Sequence, residues 1–175
     1  EKMSEVSEQV KNAIREAIKL EINGRKFFNH AADMTTHETG QKMFRYLAEE
    51  EVKHMEIFGD LFSKILGDED WRQLVHPDEI KGEAPLVTKL KARMAHAESK
   101  GEVEAISIGM ELESDAIRHF QEAVVATDDS KAKKIFCEIA EEEKFHYDLL
   151  QAQYDSVMHT GNYLDGAEFQ MDGKW

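Results

Sequence analysis

The chain has 175 residues, with 36 acidic against 22 basic side chains and a formal charge of −14. That length suits one domain with a sizeable core. The charge argues against nucleic acid and anionic membrane surfaces as partners, because both attract basic proteins. Two prolines and ten glycines leave a helix-favouring composition, and the single cysteine, Cys137, rules out an internal disulfide or a thiolate metal site. No apolar run approaches the roughly 20 residues of a membrane span. No secretory leader pattern opens the sequence, so the expected compartment is the cytoplasm.

Four long amphipathic helices are predicted. The first covers Ser4–Ala32, with an inward stripe of Val10, Ile14, Ala17, Glu21, Gly24, Phe28 and Ala31. Its steps alternate four and three, as a helix-bundle seam requires. The second covers Thr39–Leu66, after the turn Thr35-Thr36-His37-Glu38, with stripe Phe44, Leu47, Glu51, His54, Phe58, Leu61 and Ile65. Gly67 stops it, glycine being the least strained residue past a helix end. A long connection, Asp68–Lys100, holds Pro77 and Pro85 and a short helix at Leu86–Ala97. A connection of this length reads as a crossover between helices 2 and 3. The third helix covers Glu102–Thr127, with stripe Ile106, Gly109, Glu113, Ala116, Phe120 and Ala123. The fourth covers Ser130–His159, with stripe Phe136, Ile139, Glu143, His146, Leu150, Gln153 and Val157. The domain is therefore placed at residues 1–159. A tail, 160–175, is expected to pack on the bundle or on a partner subunit.

The chain also repeats itself. Lys42–His54 and Lys134–His146 lie 92 residues apart (134 − 42) and agree at 7 of 13 positions. Each copy ends in Glu-x-x-His, Glu51 with His54 and Glu143 with His146. The same offset relates Glu21 to Glu113. The reading is an internal two-fold repeat, each half a helix pair carrying one Glu and then one Glu-x-x-His.

All six residues fall in apolar seams. A buried carboxylate without a partner costs several kcal/mol or more and takes up a proton instead. Two divalent cations would cancel four such charges. Residues three apart project from one helix face, so each Glu and His pair can meet a metal, with two carboxylates bridging and two terminal. Within each Glu-Glu-Glu run the positions lie about 100° apart. The seam selects Glu51 over Glu49 and Glu50, and Glu143 over Glu141 and Glu142; Glu50 or Glu142 could sit just behind the ligands. Oxygen and nitrogen ligands without thiolate suit iron or manganese, and zinc also binds. Two iron ions are expected by class.

These residues resemble the rubrerythrin branch of the ferritin-like superfamily over about Val6–Val157. The resemblance rests on Glu21-x-x-Gly24-Arg25-x-x-Phe28, Glu51-x-x-His54, Glu113 and Glu143-Lys144-Phe145-His146. It implies an all-α, ferritin-like four-helix bundle, a di-iron centre that reacts with peroxide or dioxygen, and a homodimer or higher assembly. Two departures stand out. The paired Cys-x-x-Cys motifs of a rubredoxin-like domain are missing, so electrons are expected from a separate donor such as a rubredoxin. The position three after the third-helix ligand, where rubrerythrins carry a further Glu, is Ala116.

Three functions fit. The first is an oxidoreductase that reduces hydrogen peroxide, or dioxygen, through metals held by Glu21, Glu51, His54, Glu113, Glu143 and His146. The second is a ferroxidase that handles iron at the same site. The third is a metal-binding bundle without enzymatic activity. Tyr46 and Tyr147 are neighbours expected to pack near the site, and Cys137 is expected to be partly buried. His30, His37, His76, His96, His119 and His159 are expected to be surface or packing residues.

Overall fold

A computed structural model describes residues 8–66, 88, 91–92 and 101–165. Four helices carry them: α1 (Glu8–Met34), α2 (Glu38–Leu66), α3 (Gly101–Ala126) and α4 (Ser130–Thr160). Among the described residues there is no strand, and no helix is long and apolar enough to cross a membrane. The protein is an all-α four-helix bundle. The helix limits agree with the sequence expectation to within two residues, apart from the start of α1, where residues 4–7 lie outside the described residues. The expected crossover and its short helix lie outside them too, apart from Thr88, Lys91 and Ala92.

Short polar turns join the helix pairs. Thr35 closes α1 by donating its hydroxyl to the Ala31 carbonyl at 2.7 Å. Asp129 caps α4 by accepting from the Ala132 amide at 2.8 Å, an arrangement that contributes about 1 kcal/mol. Gly161 ends α4 in the left-handed region (φ 75°) and donates to the Val157 carbonyl, the usual role of glycine past a helix end.

The pairs α1–α2 and α3–α4 pack along their lengths, and α1 also packs on α3. Thr36, just past α1, donates its amide to Glu102 at the start of α3 at 2.8 Å. His119, late in α3, lies 3.4 Å from the Ala13 carbonyl early in α1. The two helices therefore run antiparallel. Beyond α4 the chain turns back, and its Leu164 backbone exchanges two hydrogen bonds with the Gln153 side chain, at 2.8 and 2.9 Å. Tyr163 is thereby buried, with its hydroxyl 3.4 Å from Glu102. A Cβ on Gly40 would stand 2.6 Å from the Tyr163 ring, so only glycine lets α2 approach the returning chain this closely. Residues 166–175 of the expected tail lie outside the described residues.

The predicted seams are the core. Every seam residue of α1, α2 and α3 with a described side chain is buried, and so are those of α4 up to Gln153; Val157 is half-buried. The Ile65 side chain lies outside what is described. Helix faces are wider than a single seam, and Phe27, Ile18, Met43, Ile108 and Leu149 are fully buried as well. Each such side chain contributes about 1.5–3 kcal/mol. The apolar residues divide into two clusters. One gathers around Phe27, Phe28, Phe44 and Leu150, the other around Ile14, Phe58, Phe120 and Phe136. Phe28 and Phe44 stack with centroids 6.4 Å apart, and the residues 92 positions later, Phe120 and Phe136, stack at 6.3 Å. The six predicted ligands belong to neither cluster and form a charged layer in the bundle interior.

Candidate metal centre

Each helix delivers its charged residues to this layer. Glu21 comes from α1, Glu51 and His54 from α2, Glu113 from α3, and Glu143 and His146 from α4. None is more than 2% exposed. The Glu-Glu-Glu runs resolve as the seam requires. Glu49 and Glu141 are exposed, Glu50 and Glu142 are half-buried, and Glu51 and Glu143 are buried.

The six residues fall into two overlapping groups. Glu21, Glu51, His54 and Glu143 each bring one ligand atom within 4.8 Å of the others, as do Glu51, Glu113, Glu143 and His146. Glu51 and Glu143 belong to both groups. The arrangement offers two neighbouring positions, each with a His, a Glu of its own and two shared carboxylates. The His54 and His146 rings lie nearly parallel, with centroids 5.6 Å apart. A third group, Glu50, His54 and Glu142, lies toward the surface.

The donor chemistry fits cations. Both carboxylate oxygens of Glu21 and of Glu113, and Oε1 of Glu51, are buried without a hydrogen-bond partner. Buried polar atoms are nearly always partnered, and five such carboxylate oxygens in one layer suit a site that receives positive charge. Among the described residues, the layer holds two imidazoles, His54 and His146. Glu143 sits between them, with Oε1 3.1 Å from His54 Nδ1 and Oε2 3.0 Å from His146 Nδ1. Glu21 lies 3.5 Å from His54 Nδ1, and Glu113 lies 3.7 Å from His146 Nδ1.

Proton affinities follow from this geometry. Burial pushes the Glu21, Glu51 and Glu113 carboxyls up, and neighbouring carboxylates add to it: Glu143 for Glu21 and Glu113, and Glu21 for Glu51. Burial also opposes the charged form of Glu143, but hydrogen bonds from His146 and His54 outweigh it and hold the carboxyl well below its usual range. Burial disfavours a charged His54, yet its hydrogen bonds to Glu142 and Glu143, with the Glu21 carboxyl nearby, prevail and raise it well above an ordinary imidazole.

Two neighbours acquire roles that the sequence reading left open. A Cβ on Gly24 would fall 2.8 Å from Glu51 Oε2, so the absent side chain makes room for the shared carboxylate. A glycine inside a helix costs about 1 kcal/mol relative to alanine; one in a seam next to a ligand marks a close approach. The Gly24→Ala variant should keep its helix content but bind metal at least about tenfold more weakly, a loss on the scale of disturbing a ligand's support. Metal titration with circular dichroism on the same samples checks this; unchanged affinity would show that Glu51 moves aside without consequence. Glu142, the second role, is the surface-side partner of His54 Nε2 at 2.9 Å.

The remaining residues are placed as follows. Tyr46 packs edge-on to His146, with centroids 6.2 Å apart. Burial, with Glu50 and Glu142 nearby, pushes its hydroxyl up to about 12. Tyr147 instead lines a groove with Ser107, Met110 and Ser114. Cys137 is exposed rather than partly buried, because it lies beside Phe136 on the outer face of α4. Of the other histidines, His37 and His159 are exposed and His30 and His119 half-buried; His76 and His96 lie outside the described residues.

The sequence model of the rubrerythrin family matches residues 12–154. Among solved structures, a hypothetical protein from Pyrococcus furiosus is similar with a TM-score of 0.64 at 23% identity, over 90% of this chain and 94% of that one. That likeness speaks to the fold alone. No curated protein matches the chain.

Proposed function

The chain belongs to the rubrerythrin family, by its match over residues 12–154, and from that premise we propose that it reduces hydrogen peroxide at a pair of iron ions. The observation that supports this is the pair of buried groups sharing Glu51 and Glu143, with five carboxylate oxygens awaiting positive charge. In this reading Glu21, Glu51, His54 and Glu143 would hold one ion, and Glu51, Glu113, Glu143 and His146 the other. Iron, manganese and zinc all accept such donors; the family favours iron.

When bound, reduced iron would supply one electron per ion, enough with two protons to turn one peroxide into two molecules of water. The chain's part is to place and neutralise. Four carboxylates balance two divalent ions and favour the higher charge after oxidation. The apolar clusters around the layer keep water away from the ligands. A separate electron carrier, such as a rubredoxin, returns the electrons, and the working form is a homodimer or larger assembly.

Ferroxidase chemistry is the competing use of the same residues, and kinetics separates the two. Anaerobically reduced, iron-loaded protein is mixed in a stopped-flow instrument with stoichiometric peroxide or with dioxygen. The peroxidase reading expects oxidation by peroxide to be at least about tenfold faster, about 1.4 kcal/mol in barrier. Faster oxidation by dioxygen, with iron released or accumulated, would replace it with iron handling.

A further inference from the structure

Where the end of α1 meets the start of α2, the surface carries a groove of about 650 Å³. Asp33, Glu38, Lys42, Arg45, Tyr46 and Glu49 are among the residues that line it. Tyr46 joins this groove to the metal layer: its half-buried ring stands edge-on to His146, with centroids 6.2 Å apart. The internal repeat shows that the fold does not demand an aromatic here. The matching position in the other half is Glu138 (46 + 92), an exposed side chain 3.7 Å from Lys134. The groove's charge is also unlike that of the whole chain. Lys42 pairs with Glu38 at 2.8 Å, and Arg45 pairs with Asp33. These pairs cancel and leave Glu49 in excess, against −14 for the chain.

From this juxtaposition we propose that the groove is where a small one-electron carrier protein docks, and that the Tyr46 ring relays its electrons through His146 to the metal layer. Electron tunnelling weakens steeply with the width of the gap, and a packed ring bridges a gap better than water does. Each carrier gives up one electron and reduces one ferric ion to ferrous. Two such transfers reset the pair, and no bond forms or breaks. The paired charges let an acidic carrier approach without the repulsion of the chain's overall charge, while Lys42 and Arg45, both exposed, are the cations that can meet its carboxylates. Rim charges of this kind govern the rate of encounter and its dependence on salt.

The inference rests on the two-iron reading, and two experiments with rubredoxin as the probe carrier keep the two apart. The first needs no iron and no turnover. Zinc-loaded, nitrogen-labelled chain is titrated with rubredoxin, and the amide shifts should centre on the groove residues between Asp33 and Glu49. Lys42→Glu combined with Arg45→Glu should weaken that binding at least about tenfold while the melting temperature holds. Shifts centred on another face, or binding indifferent to the charge reversal, would overturn the docking site. The second measures the limiting rate at which saturating reduced rubredoxin reduces the oxidised, iron-loaded chain without air. Tyr46→Leu should slow it at least about tenfold, and Tyr46→Phe, which keeps the ring, by less than about threefold. Zinc affinity, and oxidation by peroxide after chemical reduction, should be the same in all three proteins. A Tyr46→Leu rate equal to wild type, or a Tyr46→Phe rate as slow as that of Tyr46→Leu, would overturn the ring relay while leaving the metal site standing. A wild-type chain that takes up no iron would overturn the two-iron reading instead, and the relay with it.

Discussion

Replacing Glu143 by alanine is expected to abolish tight binding of a second ion and to weaken the first by more than the roughly 10–100-fold that loss of a supporting partner costs. Glu143 belongs to both ligand groups, so its removal takes a donor from each position. It is also the one carboxylate that both histidines contact, at 3.1 and 3.0 Å. Without it two buried imidazoles lose their shared acceptor, and breaking a buried charged pair costs about 3–5 kcal/mol. Part of that cost is offset, because Glu143 is also the charge that pushes up Glu21 and Glu113. The variant should therefore remain folded while losing its metals. Glu141→Ala is the matched control. Its carboxylate is exposed and pairs with Lys144, so it should change nothing. Calorimetric metal titration of the two variants decides the register of the Glu-Glu-Glu run: equal losses, or none, would place the ligand elsewhere.

Removing the metals should turn the pH dependence of stability against the fold. Glu21, Glu51 and Glu113 have carboxyls raised above their unfolded range. Whatever stability they contribute is present below about pH 4.5 and is lost as pH rises through their folded values. His54 is raised as well; its contribution is present below about pH 6.5 and is lost on the way up. Glu143 is lowered, so its contribution is lost only in acid, below its unfolded range. The metal-free protein should thus melt at a lower temperature at pH 8 than at pH 5. Metal reverses the slope, because ligation requires the charged carboxylates and neutral imidazoles that high pH supplies. At free metal 100 times Kd each ion contributes about 2.7 kcal/mol, which for a chain of this size is roughly 5–10 °C in melting temperature. Melting curves with and without metal at the two pH values test this; a metal-free protein that is more stable at pH 8 would contradict the buried-carboxylate account.

The charged layer was legible in the sequence because it violates the helix pattern. An apolar seam interrupted by Glu21, Glu51, His54, Glu113, Glu143 and His146 allows only one register, and the structure brings those six side chains together. The boundary between α1 and α2 was legible from the Thr35-Thr36-His37-Glu38 turn, whereas the caps of α4 at Asp129 and Gly161 came only with the structure. What escaped the pattern depends on side-chain reach and not on period. Glu142 lies off the seam by one position, and only the packing of α4 against α2 shows that it meets His54. Gly24 reads as a small seam residue until the Glu51 carboxylate is seen against it. Tyr163 follows the last helix, where no periodicity signals burial, and its place depends on the Gln153 side chain folding the chain back. Cys137 was misjudged because a residue next to a buried one on a helix points about 100° away.

The measurement that bears most directly on the central claim is a crystal structure of natively purified protein, with anomalous data collected on either side of the iron absorption edge. Two iron ions per chain, about 3.5–4 Å apart as in other two-metal sites, bridged by Glu51 and Glu143 and flanked by His54 and His146, are the predicted result. A single ion, a metal bound outside this layer, or zinc in place of iron would contradict it.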